Sequence, residues 1–360
     1  MSFRKASLGV DIGSNSIKVV ELAHKSKGPV ILSAGITEPL ADSSFEAASS
    51  ALRELVNKKK FRTKRAVATV RATAEGSATA RRIFMENVSA DIKKSELRER
   101  VEREAIARDY IPFPAEEAVI DCHVLGEAMP ENTPGIWVFF VAVRRELVKE
   151  RVDILRAAGL IPVAIEIDLS AVLGLLSYMD MFSEDEDTVI IDIGAAKTAI
   201  GIIYRGQFNF YREITVAGDH IASQIERRLK IKRKDAEKYK HTEDLFERVS
   251  DGTGEIWRAA SPIEPVIEER QGLYPQIREC FRFYEGDVDN ARLSKVFFLG
   301  GTSLLSNLDN FLSQRLAIPV ERVHFLDRIP IGNGSSSEIE GKESVFATAV
   351  GLALKPFRGK

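Results

Sequence analysis

The sequence LGVDIGSNSIKVVE at residues 8–21 has a near copy later in the chain, VIIDIGAAKTAIGII at residues 189–203. In each copy an apolar run ends in Asp-Ile-Gly and small residues, and a second run rich in β-branched residues follows. This pattern predicts two strands of a hairpin joined by a tight polar turn. The chain therefore carries one structural unit twice, and the rest of its organisation is expected to follow from that duplication.

The two predicted turns have the composition of phosphate-binding turns. Gly13 and Gly194 let the backbone approach a ligand closely, and successive N–H groups in such a turn form a concave anion site. Asp11 and Asp192 would face each other across a cleft and hold hydrated Mg²⁺ against a triphosphate. A single acidic turn is more often purely structural, but two matching copies favour phosphate binding.

Other candidate binding residues are weaker when each is taken alone. Lys18, on the strand that leaves the first turn, would reach a phosphate, or it is a solvated lysine at a strand edge. Gly300 and Gly301 end an apolar strand, where a flat ring would lie against bare backbone, or they form a simple turn. Glu237 and Lys240 stand three apart on a predicted helix and would hold a ribose and a purine edge, or they form a surface ion pair.

The candidate catalytic residue is Asp168, at the start of a predicted helix. It would orient a water molecule for attack on a γ-phosphate. The alternative is a helix N-cap, and the residues alone do not decide between the two. The sequence thus predicts binding of ATP and Mg²⁺ more firmly than turnover, and we expect ATPase activity to be weak or absent.

Composition limits the class of protein. The chain has 360 residues with 44% hydrophobic and 29% charged residues and a net charge of −2. This length predicts at least two lobes, and the near-neutral charge argues against a nucleic-acid partner. The two cysteines fit a reducing compartment. We expect a cytoplasmic protein, because no signal peptide or membrane-spanning run is recognisable; contact with a membrane would come through partners.

The predicted order of elements divides the chain into two lobes with inserts. The first lobe should run strand, strand, strand, helix, strand, and the second should repeat that plan after an acidic linker at 184–187. The expected segments are 1–77 and 161–183 for the first lobe, 78–160 for a small α+β insert, 184–234 and 293–343 for the second lobe, 235–292 for a helical insert, and 344–360 for a C-terminal helix on the first lobe.

Several stretches together resemble the actin-like ATPases, a group that includes actin, the heat-shock chaperones and FtsA. They are the two hairpins, AEKYK at 236–240 and FFLGG at 297–301. Longer stretches resemble the PilM family of type IV pilus assembly proteins: ARDYIPFPAEEAVIDCHVLGE at 107–127, VAVRRELVKERVDILRAAGLIPVAIEID at 141–168 and VFATAVGLAL at 345–354. The resemblance implies an α/β fold of two actin-like lobes, each a ribonuclease H-like domain, with an FtsA/PilM-type small α+β insert.

The resemblance also implies roles for individual residues. Those of the first phosphate loop would be Asp11, Gly13, Ser14, Asn15 and Lys18. Those of the second would be Asp192, Gly194, Ala195 and Thr198. Those around adenosine would be Glu237, Lys240, Gly300, Gly301 and Thr302, the last standing where the family often has a third glycine.

The resemblance implies partners under the bacterial inner membrane. Such a protein would bind the short cytoplasmic tail of a PilN-like membrane protein, and it would connect the pilus alignment complex to PilB/PilT-type motor ATPases and a PilC-like platform protein. Self-association is a further expectation. The alternatives are an FtsA-like polymerising ATPase, for which the tail LALKPFRGK is short of a membrane helix, and a GspL-like type II secretion component, for which a membrane span is expected.

Overall fold

The computed structural model describes residues 6–70, 78–183, 185–250, 254–288, 290–332 and 338–357. The first lobe is built on a five-stranded sheet with strand order β3-β2-β1-β4-β8, whose strands are β1 (Ala6–Ile12), β2 (Ile17–Lys25), β3 (Gly28–Ile36), β4 (Arg65–Val70) and β8 (Ile161–Ile167). The first three are antiparallel neighbours, whereas β4 runs parallel to both β1 and β8.

The second lobe repeats this sheet. Its strands follow the order β11-β10-β9-β14-β15 and are β9 (Asp187–Ile193), β10 (Thr198–Tyr204), β11 (Gln207–Ile214), β14 (Leu293–Leu299) and β15 (Val320–Arg322). One half is again antiparallel and the other parallel. The predicted duplication is therefore confirmed. Because parallel strands end at the same edge of a sheet, each hairpin turn lies beside the end of β4 or β14.

The helices cover the sheets and connect their strands. They are α1 (Phe45–Lys59), α2 (Lys94–Ala107), α3 (Arg145–Ala157), α4 (Asp168–Tyr178), α5 (Gly218–Leu229), α6 (Arg233–Thr242), α7 (Glu264–Glu268), α8 (Leu273–Asp287), α9 (Leu308–Leu316) and α10 (Glu343–Leu354). Helix α1 begins at Phe45, because the Ser44 hydroxyl accepts a hydrogen bond from the Ala47 N–H at 3.2 Å. Such a cap contributes about 1 kcal/mol.

The C-terminal helix α10 packs in the centre of the molecule, and nearly all of its residues are buried. Phe346 and Val350 belong to one apolar cluster with Val20 of β2 and Leu169 of α4. The hydroxyl of Ser7 on β1 also donates to a carbonyl of this helix. The end of the chain is thus part of the core that holds the first strand in place.

The small insert is an antiparallel sheet with strand order β5-β7-β6 and with α2 packed on it. Its strands are β5 (Ala78–Glu86), β6 (Ala118–Ala128) and β7 (Gly135–Arg144). Arg82 of β5 stacks on the ring of Trp137 in β7. The insert is therefore the α+β unit that the sequence predicts.

The expected end of this insert at residue 160 differs from the structure, because α3 packs on the first lobe. Ile154 and Leu155 of α3 are fully buried in one cluster with Leu52 of α1 and with Leu8 and Val10 of β1. The sequence shows only that α3 has one apolar stripe. That stripe does not indicate which of two neighbouring sheets it covers.

The second insert is not purely helical, which corrects the expectation for 235–292. A charged hairpin, β12 (Phe246–Ser250) paired with β13 (Glu255–Ala259), stands between α6 and α7. Phe246 at its start is buried against Phe311 of α9, with ring centroids 5.1 Å apart. The rest of the hairpin is mostly exposed.

The linker expected at 184–187 also needs correction at its end. Asp187 starts β9, is 3% exposed, and accepts hydrogen bonds from the Tyr284 hydroxyl and the Arg292 N–H, both at 2.7 Å. A buried carboxylate with two donors is part of the folded core. Glu184 lies outside the described residues.

Candidate functional site

A cavity of about 500 Å³ opens between the two lobes, a volume in the range of small-molecule sites. It collects most of the residues that the sequence singles out. The predicted residues that line it are Asp11, Gly13, Ser14, Asn15, Lys18, Asp168, Asp192, Gly194, Ala195, Glu237, Lys240, Gly300, Gly301 and Thr302. Residues far apart in the chain therefore share one cavity wall.

The first turn joins β1 to β2, where Asp11 pairs with Lys18 in the strand register. The Lys18 Nζ atom lies 3.6 Å from Asp11 Oδ2, and both side chains are mostly buried. A Cβ atom on Gly13 would lie 2.9 Å from the Ser16 carbonyl oxygen and 3.3 Å from Lys18 Nζ. The glycine therefore leaves room for the lysine beside the turn.

Ser14 has an unsatisfied polar atom in this turn. Its Oγ atom is buried, lies in a residue of the cavity wall, and has no hydrogen-bond partner among the described residues. A buried hydroxyl without a partner costs free energy. This atom is therefore suited to a ligand that brings hydrogen-bond acceptors or donors into the cavity, as a phosphate group would.

The second turn joins β9 to β10 and is fixed by its neighbours. The Gly194 carbonyl oxygen accepts hydrogen bonds from the Gly218 N–H at 3.1 Å and from the Thr302 hydroxyl at 3.0 Å. The Ala195 carbonyl oxygen accepts from the Asp219 N–H at 2.8 Å. Two carbonyls of the turn are thus held by the start of α5 and by Thr302.

Gly300 makes room for Asp192 at the end of β14. Its φ is +89°, a left-handed conformation that favours glycine. A Cβ atom there would overlap Asp192 Oδ1 and lie 2.7 Å from the Ile193 carbonyl carbon. Residue 300 therefore has to be a glycine for the carboxylate of Asp192 to keep its position at the cavity.

The predicted adenosine wall is formed by α6 and the end of β14. Lys240 is 5% exposed, and its Nζ atom lies 2.6 Å from Glu237 Oε2 and donates to the Gly218 carbonyl oxygen at 3.2 Å. A buried cation needs such partners. Arg233 contacts Glu237 as well, at 3.3 Å. The Glu237–Lys240 ion pair is thus held in the cavity wall by further contacts and is not an isolated ion pair on the surface.

Thr198 is a predicted binding residue that does not line the cavity. It is fully buried, and its hydroxyl donates to the Val216 carbonyl oxygen at 2.7 Å. Both residues belong to the second lobe, so the hydroxyl joins the start of β10 to the segment before α5. The structure gives Thr198 this structural role in place of the expected contact with phosphate.

Asp168 lines the cavity but is already engaged. Its Oδ1 atom accepts hydrogen bonds from the Leu169 N–H at 2.8 Å and from the Tyr211 hydroxyl at 2.9 Å, and the residue is 7% exposed. The N-cap of α4 is Ile167, one position earlier, so the N-cap interpretation of Asp168 is wrong by one residue. The carboxylate instead occupies the first turn, where negative charge is favourable.

Several residues of the cavity wall were not predicted from the sequence. They include Thr69, Arg151, Asp219, His241, Lys342, Ser344, Val345 and Thr348. Thr69 had a usable signal, because it stands near the end of β4, the parallel neighbour of β1. Its hydroxyl accepts from the Ile12 N–H at 3.2 Å and lies 3.5 Å from Asp11 Oδ1. Arg151 and Lys342 reach the cavity only through tertiary packing.

The protonation of His241 and the arrangement of the acidic side chains limit what the cavity wall can bind. Burial, and then the charge of Lys240, lower the pKa of His241, so this side chain is neutral at pH 7. Within the described ranges, no group of three or more His, Cys, Asp or Glu side chains could hold a metal ion. Asp11 and Asp192 would therefore need phosphate oxygens or water to complete a Mg²⁺ shell.

None of the helices in the described part of the chain has both the length and the apolarity to cross a membrane. A family model described as type IV pilus assembly protein PilM matches residues 9–357. Among solved structures, a PilM-PilN type IV pilus biogenesis complex is similar at 24% identity and a TM-score of 0.79, over 97% of this chain and 98% of that one.

Two more distant structures share the fold. The ethanolamine utilization protein EutJ from Carboxydothermus hydrogenoformans is 15% identical, with a TM-score of 0.54 over 97% of this chain and 89% of that one. MreB5 of Spiroplasma citri, solved with bound ADP, is 14% identical, with a TM-score of 0.51 over 99% of this chain and 97% of that one. The two-lobed actin-like fold expected from the sequence is confirmed.

Proposed function

We propose that this chain, which belongs to the family of the type IV pilus assembly protein PilM, is an ATP-binding scaffold of type IV pilus assembly. The proposal has two parts: Mg²⁺-ATP binds between the lobes, and a short peptide of a membrane partner binds to the first lobe and its insert. ATP binding is supported by the two equivalent turns, each with an aspartate and a glycine, which line the same cavity.

The residues of the cavity fit a nucleoside triphosphate with Mg²⁺. Lys18 and the Ser14 hydroxyl would contact phosphate oxygens, and Asp11 and Asp192 would hold the hydrated ion. The side chains of α6 would lie along the adenosine, with the bare backbone of Gly301 against the base. The ion would neutralise phosphate charge in the cleft between the lobes.

We infer that hydrolysis is slow. A general base must turn toward the attacking water and accept its proton, and the Leu169 N–H and the Tyr211 hydroxyl hold the Asp168 carboxylate in a fixed orientation through Oδ1. ATP would then act by changing the relative orientation of the two lobes rather than by being hydrolysed. ATP would act as a ligand that selects one orientation of the lobes.

The partner part of the proposal is supported by the family and by the similar structure, which is a complex of PilM with PilN. We infer that the chain binds the amino-terminal cytoplasmic segment of a PilN-like protein and lies at the inner face of the inner membrane. Contacts with PilB/PilT-type motors and a PilC-like platform protein belong to the same proposal, as does self-association.

A junction between the first lobe and the insert offers a surface for this peptide. Around buried Val143 lie apolar side chains that are only partly covered, including Leu147 and Val148 of α3 and Ile165 and Ile167 of β8. In the part of the sheet that is described, β8 is an edge strand. An edge strand beside apolar side chains is a known arrangement for binding an extended peptide.

The nucleotide part is tested by thermal unfolding of the purified chain with ATP and Mg²⁺. We expect a higher melting temperature for the wild type and no increase for Asp192→Ala, because a ligand that binds only the folded state stabilises it. An unchanged wild-type melting curve at millimolar ATP would contradict the nucleotide part.

The partner part is tested at the junction with Leu147→Asp. We expect this variant to lose binding of a synthetic PilN-like amino-terminal peptide while it keeps the ATP-induced shift in melting temperature. Leu229→Asp is the matched control, because Leu229 is 37% exposed at the end of α5 in the second lobe. Equal peptide affinity of both variants and the wild type would exclude this surface.

A further inference from the structure

We propose that strand β11 is a relay that transmits the state of the second phosphate turn to the insert. In the described residues it is one of the two edge strands of the second sheet. Three of its side chains contact different parts of the molecule: the second phosphate turn, helix α4 of the first lobe, and the insert. The relay rests on the proposed function, since it responds to a nucleotide in the cavity.

The first contact of β11 is with the phosphate turn. The Glu213 side chain is almost fully buried, and its Oε2 atom lies 3.3 Å from the Nζ atom of Lys197 in that turn. The distance indicates an ion pair, but Oε2 has no hydrogen-bond partner in the described residues. The charge at the Oε2 atom of Glu213 is therefore balanced by Lys197 and depends on where that lysine lies.

The second contact crosses between the lobes. The Tyr211 hydroxyl lies 2.9 Å from Asp168 Oδ1 and 3.3 Å from Glu213 Oε1. A phenol has one proton to donate, so the two carboxylates compete for it, and the shorter distance favours Asp168. Asp168 belongs to the first lobe and lines the nucleotide cavity. This hydrogen bond thus ties the cavity wall to β11.

The third contact reaches the insert. The strand register between β10 and β11 skips Asn209, which makes it the extra residue of a β-bulge. Bulges redirect side chains, and Asn209 Oδ1 accepts a hydrogen bond at 2.9 Å from Arg82 on β5 of the insert. Arg82 also donates to Asp287 of α8 at 2.8 Å and stacks 4.2 Å from the Trp137 ring centroid.

The strand is a suitable mechanical link between these contacts. Glu213 and Asn209 are four residues apart, which is about 13 Å of extended chain, and β11 is paired with β10 along its length. Phe208 of β11 also stacks on Phe139 of the insert, with ring centroids 5.4 Å apart. A displacement at the phosphate end would therefore be carried to the insert.

A triphosphate would drive the relay by electrostatics. Negative charge at the second turn attracts Lys197 and weakens its hold on Glu213. A less neutralised Glu213 competes better for the Tyr211 proton, which loosens the bond to Asp168. The lobes and β11 then adopt a different relative position, and Arg82 transfers the change to the insert beside the proposed peptide surface.

A nucleotide effect could also reach the insert without β11, because the insert is covalently joined to the first lobe. The two routes are distinguished by hydrogen exchange of β5 and β7 with and without Mg²⁺-ATP, while calorimetry measures ATP affinity. We expect exchange in these strands to change by about twofold or more in the wild type, as for a locally opening unit. Arg82→Gln should remove that response while ATP affinity stays within about twofold.

Two further variants make the test decisive. Arg98→Gln is the matched control, because Arg98 pairs with Asp121 inside the insert at 3.0 Å; it should keep the response. Tyr211→Phe removes only a hydroxyl and should weaken the response without unfolding the protein. The relay would be overturned, and the proposed function would stand, if the ATP-dependent change in exchange persisted in Arg82→Gln. The same holds if a wild type that binds ATP showed no such change. Absence of ATP binding would overturn the proposed function and the relay with it.

Discussion

Gly9 of β1 lies directly against Ala349 of α10, so close that a Cβ atom on Gly9 would overlap the Ala349 carbonyl oxygen and lie 2.6 Å from the Ala353 amide nitrogen. Gly351 approaches Ala171 of α4 in a similar way, because a Cβ atom there would overlap the Ala171 carbonyl oxygen. The strand that leads into the first hairpin turn and the helix α4 are both positioned by α10. The C-terminal helix thus supports the first-lobe side of the cavity.

The first prediction follows from this packing. Gly9→Ala should lower the free energy of unfolding by about 3 kcal/mol or more, because two backbones would have to separate to admit a methyl group. Urea denaturation measures the change. Gly286→Ala is the control, since among the described residues no atom beyond its chain neighbours and its own helix backbone in α8 lies within 4 Å of the added methyl, and it should stabilise by up to about 1 kcal/mol. Equal stability of the two variants would refute the close contact.

The second prediction compares two hydroxyl deletions. Ser14→Ala should weaken Mg²⁺-ATP binding by about fivefold to fifteenfold, the loss of one hydrogen bond, and leave the stability of the free protein unchanged or higher. Thr198→Val should lower stability by about 1 to 3 kcal/mol, because the Val216 carbonyl oxygen loses its partner, with ATP affinity unchanged. Calorimetry and urea denaturation measure the two quantities.

The opposite pattern would reverse the structural assignment of these residues. If Thr198→Val weakened ATP binding while Ser14→Ala had no effect, Thr198 would have to face the phosphate, as the family resemblance implied, and the register at the start of β10 would be wrong.

The third prediction concerns Mg²⁺. Asp11→Asn should lower affinity for Mg²⁺-ATP by about tenfold or more, because an amide holds metal-bound water less strongly than a carboxylate. Affinity for ATP in excess chelator should change far less. Asp219→Asn is the matched comparison, since Asp219 lines the same cavity and, like Asp11, pairs with a cation, in its case Arg233 at 2.7 Å. An equal loss with and without Mg²⁺ would exclude Asp11 as a metal-holding residue.

The fourth prediction is a pH dependence at Tyr284. Burial, and then its hydrogen bond to Asp187, raise the pKa of Tyr284 well above the ordinary value of 10. The unfolded chain releases this proton near pH 10 while the folded chain retains it. The stability that Tyr284 contributes is therefore fully present below pH 10 and is lost as the pH rises above it.

Tyr284→Phe isolates that effect. At pH 8 the variant should be less stable than the wild type by about 1 to 3 kcal/mol, because Asp187 loses a donor. Above pH 10 the difference should shrink, since phenylalanine has no proton to lose. Urea denaturation at pH 8 and pH 11 measures it, and a difference that grows with pH would contradict the raised pKa.

The features that could be predicted from the sequence are those that recur locally. Both hairpins, the glycines of their turns and the aspartates before them could be recognised because each depends on a few consecutive residues. The buried helix at Glu343–Leu354 was also close to its predicted range of 344–360. These elements have apolar periodicity and start signals that do not require knowledge of distant contacts.

The remainder depended on tertiary contacts. Thr198 looks equally able to face a ligand or a carbonyl until the β10 register is known. Helix α3 has one apolar stripe, which fits the insert as well as the first lobe. The hairpin at 246–259 lacks clear alternation, because much of it is exposed on both faces. Arg151 reaches the cavity from the middle of a helix without any local signal.

The central claim is that nucleotide between the lobes changes the affinity of the surface that binds the partner peptide. It is tested most directly by titrating the purified chain with a synthetic amino-terminal peptide of the PilN-like protein, with and without Mg²⁺-ATP. We predict saturable binding in both conditions, with affinities that differ by about fivefold or more, in the usual range for coupling between two sites. Equal affinities in the two conditions, or no binding in either, would contradict the claim.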